Sequence, residues 1–116
     1  MKYMLLIYDD PTPYEGEQGR KLMSEMVAGH MQFGEDLRAA GVAYSANQLQ
    51  PPTVATTVRN VGKTQTLHDG PFAETKEQLG GYYLIDVANL DAAIAWAKRI
   101  PTRGAGSVEV RPIVER

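Results

Sequence analysis

Few residues in this chain can exchange protons near neutral pH, and His30 is the foremost of them. Free imidazole titrates near pH 6.5, so it can act as a general base or acid. A carboxylate such as Asp69 would hold its tautomer and stabilise the protonated ring. His30 also has a plainer reading, a core histidine hydrogen-bonded to backbone or to a tyrosine. Asp69 likewise precedes Gly70-Pro71, where aspartate accepts backbone N–H bonds and shapes a turn. His68, beside Asp69, would supply a second imidazole for a divalent ion. No ligand-spacing motif accompanies it, so no metal is expected. Thr75 and Lys76 could bind an anionic group if they face a cleft. Tyr3, Tyr8, Tyr82 and Tyr83 could line a small apolar pocket, or serve as core or dimer contacts, and Tyr8, Phe72, Tyr82 and Tyr83 complete the candidate substrate contacts. Gly80-Gly81 lack a following helix and so do not make a phosphate loop.

These residues need a scaffold, and hydrophobic spacing supplies one. Residues 2–8 are apolar almost throughout, which reads as a central strand covered on both faces. Asp9-Asp10-Pro11-Thr12-Pro13 ends it. Residues 16–40 read as a long helix, with Leu22, Met26, Phe33, Leu37 and Ala40 on one stripe. His30 falls on that stripe, and Lys21, Glu25, Gln32, Glu35 and Asp36 fall opposite. Gly41 suits the C-terminal cap. Gly29 and Gly34 weaken the helix and mark a close approach of backbone or ligand, or simple packing. Val42–Leu49 reads as a second strand, closed by Pro51-Pro52. Residues 53–59 and 63–68 read as a hairpin about Asn60-Val61-Gly62. The polar stretch Asp69–Gly81 reads as a surface loop, and Tyr82–Val87 as a strong strand. Asn89 is the expected N-cap of a helix over Leu90–Ile100 that Pro101 stops. Gly104-Ala105-Gly106 turns the chain into a closing strand over residues 107–114. The order is a βαββαβ frame with an inserted hairpin and loop, the ferredoxin-like α+β arrangement. With both helices on one face, the other face stays apolar, so a homodimer packed sheet to sheet is expected.

Composition narrows the function classes. With 116 residues, one domain spanning 1–116 is expected. Twelve Lys and Arg against 14 Asp and Glu leave a net charge of -2, which disfavours nucleic acid or an anionic membrane as partner. There is no cysteine, so disulfides, thiolate nucleophiles and Cys-based zinc sites are excluded. The apolar start contains tyrosines and lacks a small-residue cleavage site, unlike a signal peptide. No run approaches the ~18 apolar residues of a membrane span. A cytoplasmic protein without a cofactor is the expectation.

The residues also carry a resemblance. The opening Lys2–Tyr8, Leu37–Val42, Leu49–Pro52, Ala55–Arg59, the whole of Asp69–Val87, Ala95-Trp96-Ala97 and Gly106–Pro112 are similar to the DGPF branch of the YCII-related superfamily. The loop Asp69-Gly70-Pro71-Phe72-Ala73-Glu74-Thr75-Lys76-Glu77 is its most specific motif. The resemblance implies a dimeric α+β barrel. DGPF proteins are often encoded beside extracytoplasmic-function sigma factors, which makes a non-enzymatic regulatory module docking a sigma factor the alternative to an enzyme. Related YCII proteins are proposed enzymes with a His–Asp dyad, and a few act on chlorinated aromatic breakdown products. The superfamily histidine lies eleven residues before the glycine that ends the first helix, as His30 does before Gly41. The superfamily aspartate precedes a proline after the second helix, where this chain has Ile100 before Pro101. Asp69 is then the carboxylate available to His30, with a small organic molecule as substrate.

Overall fold

A computed structural model describes residues 1–12, 15–102 and 106–116. Pro13 of the first expected turn, and Gly104 and Ala105 of the last, lie outside the described residues. The elements are β1 (Lys2–Asp9), α1 (Gly16–Ala39), β2 (Tyr44–Gln48), a 3-10 turn (Pro52–Val54), β3 (Thr56–Val61), β4 (Thr64–Asp69), β5 (Gln78–Asp86), α2 (Leu90–Ala97) and β6 (Ser107–Pro112). Four strands form one antiparallel sheet in the order β2-β5-β1-β6, and β3 pairs with β4 in a separate two-stranded sheet. This mixed α+β order is compatible with a ferredoxin-like fold. No helix among the described residues is long and apolar enough to cross a membrane.

Strand parity divides the larger sheet into two faces. Tyr3 and Leu5 of β1, with Tyr83 and Ile85 of β5, point toward the helices and are buried. Phe33 and Leu37 of α1, Ala93 of α2 and Ile100 complete that core. Met4, Leu6, Tyr82 and Leu84 alternate to the opposite face and are half-buried.

Two boundaries and one side-chain placement differ from expectation for physical reasons. The β5 strand starts at Gln78, within the stretch read as loop. Its pairing with β1 shifts between Ile7 and Tyr8, leaving Gly80 as the extra residue of a bulge. A Cβ on Gly81 would stand 3.1 Å from the Asn47 carbonyl oxygen, so any other residue would push β2 back by a few tenths of an ångström. The second helix ends at Ala97 instead of Ile100. Its last amides turn to i−3 bonds, Arg99 to Trp96 and Ile100 to Ala97, because the residue before Pro101 is pushed out of the helical region. Asp36, expected on the solvent side of α1, holds Arg99 at 2.8 Å and ties α1 to the turn that follows α2.

Candidate functional site

His30, Phe33, Gly34 and Leu37 are spaced i, i+3, i+4 and i+7, so one stripe of α1 faces the sheet. The two glycines set how closely the helix lies. A Cβ on Gly34 would come within 2.6 Å of the Tyr44 hydroxyl, and one on Gly29 within 3.2 Å of the Pro101 ring. Both close approaches are to protein, and they place His30 between β5 and Pro101, four residues beyond α2.

The His30 ring lies 5.8 Å from that of Tyr83, nearly parallel at 15°. Its Nδ1 is 2.8 Å from the Tyr83 hydroxyl. The Pro101 backbone lies on the other side of the ring and favours its protonated form. Proline has no N–H, so toward that backbone the imidazole can only donate. A neutral imidazole has one N–H. With that proton on the Pro101 side, the nitrogen facing Tyr83 accepts and the tyrosine hydroxyl donates. Two uncharged groups thus flank the ring where carboxylates often stand.

Burial sets the protonation states. Desolvation holds His30 below the ordinary imidazole range, and the Pro101 backbone only partly opposes it. Tyr83 is pushed up to about 12, first by burial and then by the neighbouring Tyr44. Phe33 meets Tyr83 edge-on at 5.0 Å and Trp96 edge-on at 5.9 Å, so an aromatic cluster walls the pair. At pH 7 this pair is a neutral base bonded to a neutral donor.

Asp69 lies elsewhere. It lines a recess of about 570 Å³ with Asp10, Pro11, Thr12, Pro52, Thr53, Gly70, Pro71, Glu74, Thr75, Lys76 and Gln78, and His30 is absent from those walls. Asp10 there is held below the usual carboxylate range, chiefly by the Thr12 backbone N–H, with Lys76 adding less. The loop is stapled from within. Gln78 donates to the Ala73 and Thr75 carbonyls at 2.8 Å each, and the Thr75 hydroxyl donates to the Glu77 carbonyl at 2.6 Å. Gly70, at φ +119, takes the turn that L side chains rarely adopt, and Thr57 donates to its carbonyl at 2.9 Å.

The other candidates scatter. Phe72 is 76% exposed, with the Arg59 guanidinium 5.8 Å from its ring centre. Tyr8 and Tyr82 point to the face without helices, where Tyr8 reaches Glu109 at 3.5 Å and Tyr82 accepts from Asn47 at 2.9 Å. The structure therefore brings together His30 and Tyr83, and separately Asp69, Thr75 and Lys76. His68 is exposed, and among the described residues no group of three or more His, Asp or Glu could hold a metal ion. Sequence reasoning missed Tyr44, Pro101 and Gln78. Gly34 was a signal for the first, since a glycine inside a helical stripe asks what it faces.

Two comparisons bear on kinship. An uncharacterized protein of Rhizobium meliloti (strain 1021) is 37% identical over 118 residues, covering 97% of this chain and 92% of that protein. A family model for the YCII-related domain matches residues 1–116. The histidine-bearing helix, the sheet beneath it and the glycine-rich loop thus sit in a chain that belongs to the YCII-related domain family.

Proposed function

We propose that this chain is a cofactor-independent enzyme for a small organic substrate, with His30 as the proton acceptor and Tyr83 as its partner. The observation that carries this is the 2.8 Å bond between His30 Nδ1 and the Tyr83 hydroxyl. The lowered imidazole keeps its lone pair at neutral pH, which a base requires. The raised tyrosine does not ionise on its own. A proton leaving the substrate passes to the Tyr83 oxygen as the Tyr83 proton passes to His30, so no free tyrosinate accumulates. In this reading Tyr83 takes the orienting role expected of Asp69. The hydrogen bonds of Thr75 and the pairing of Asp69 with Thr56 favour an architectural role for those two, and Lys76 lines the same recess beside them. Tyr8, Phe72 and Tyr82 leave the substrate-contact set, and Tyr44 joins it.

The same proposal reads β3–β4 as a hairpin inserted into a ferredoxin-like frame, and the whole as a dimeric α+β barrel of the DGPF type. Support comes from the half-buried apolar residues Met4, Leu6 and Leu84 on the face that carries no helix.

A proton-exchange assay tests the chemistry. A panel of small lactones and 2-oxo acids, incubated in D2O and followed by proton NMR, should lose acidic C–H signals with the wild-type chain. His30→Gln should slow that loss by about a hundredfold, within the range a positioned acid or base contributes. Equal exchange by both proteins across the panel removes the reading.

A further inference from the structure

The β3–β4 pair stands apart from the rest of the molecule. The Cα radius of gyration is 16.0 Å, where a compact domain of this length has about 13 Å. Parity gives the pair two faces. On one, Thr57, Arg59 and His68 meet the returning loop, since Thr57 and Arg59 donate to the Gly70 and Phe72 carbonyls at 2.9 and 3.2 Å. On the other, Thr56, Val58 and Asn60 lie opposite Asp69, Leu67 and Gln65. Val58 is 52% exposed and Leu67 76% exposed on that second face. Two-stranded pairs are marginal in water and gain stability from a third strand or a packing partner.

Among the described residues, no strand pairs with either outer edge of this pair. Natural edges are protected by charge, proline or bulges. The β6 edge of the larger sheet has Glu109, Arg111 and Pro112. The β4 strand Thr64–Asp69 carries one formal charge, Asp69 at its end, and has no lysine, arginine, proline or bulge.

We propose that β4 pairs with β4 of a second copy of this chain, antiparallel about a two-fold axis at Leu67. That register is self-complementary. Leu67 meets its own counterpart, so Val58, Leu67, Leu67 and Val58 form one aliphatic row across four strands. Gln65 meets Asp69, an amide beside a carboxylate, and Thr66 meets His68. No like charges face each other. Shifting the register by one residue would place Leu67 opposite Thr66 and break the row. This contact uses neither His30 nor the face bearing Met4 and Leu84, so it stands independently of the proton-transfer reading.

The absence of native cysteine makes the test clean. Directly opposite residues of an antiparallel pair have Cα atoms about 4.5–5.5 Å apart, within disulfide range. Leu67→Cys should form a disulfide-linked dimer under mild oxidation at least about ten times faster than Val61→Cys. Val61 is 72% exposed and serves as the collision control. Mixed Gln65→Cys and Asp69→Cys chains should link unlike copies in preference to like ones. Circular dichroism checks that each exposed-site variant keeps its fold. Equal rates for Leu67→Cys and Val61→Cys overturn the pairing, and no preference in the mixture overturns the register.

Discussion

A histidine held neutral by burial leaves a signature in stability as well as in chemistry. The folded chain binds the His30 proton less readily than the unfolded chain does. Stability from this group is therefore full above about pH 6.5 and declines as pH falls through the ordinary histidine range. Urea midpoints measured at pH 7.5 and 5.5 should drop for the wild-type chain and drop less for His30→Gln. The same drop in both would mean that His30 is not the group responsible. Tyr83→Phe should cost about 1 kcal/mol, a typical net value for a lost hydrogen bond, read from the same unfolding curves. His30 was legible because its spacing from Phe33 and Leu37 put it on the buried stripe. Its partners were harder to read. Tyr83 is far off in the chain, and a carbonyl at Pro101 has no side-chain identity to notice. The expectation favoured Asp69 because a carboxylate is the visible partner in a sequence, whereas backbone acceptors are written at every position.

At the scale of elements, most of the frame could be read from periodicity. The first helix was expected over 16–40 and spans Gly16–Ala39, because a four-residue apolar repeat over many turns has few other solutions. The start of β5 could not be read that way. Leu79-Gly80-Gly81 has no alternation, and its strand geometry depends on a bulge and on β2 lying close by. Gly34 gives the sharper test of element packing. Gly34→Ala would gain up to about 1 kcal/mol of helix propensity. The new methyl would meet the Tyr44 hydroxyl at 2.6 Å, and relieving it costs about 1–3 kcal/mol. Net destabilisation is expected, recovered in large part by Gly34→Ala combined with Tyr44→Phe. Additive effects in that double-mutant cycle would show that the two positions do not press on each other. In the loop, Gln78→Ala removes the donor that spans Ala73 and Thr75. Amide hydrogen exchange over 73–77 should quicken while β1 and β5 stay protected.

Across the whole molecule, the apolar run at residues 2–8 says that β1 has something to cover on both sides. The helices account for Tyr3 and Leu5. Met4 and Leu6 face the other way, paired across the strand with Leu84 and Tyr82. Around these four lie Arg111 and Glu109 on β6, and Ser45 and Asn47 on β2. In the proposed dimer, a two-fold would set this apolar centre and its polar margin against their counterparts. Leu84→Lys would place two like charges near that axis without entering the helix-side core. Light scattering should show the mass attributable to this contact halved, with the far-ultraviolet circular dichroism unchanged. The Leu67→Cys cross-link should persist in the same variant, because the β4 edge and the sheet face are separate surfaces. An unchanged mass for Leu84→Lys would end the face-to-face dimer while leaving the β4 pairing to its own test.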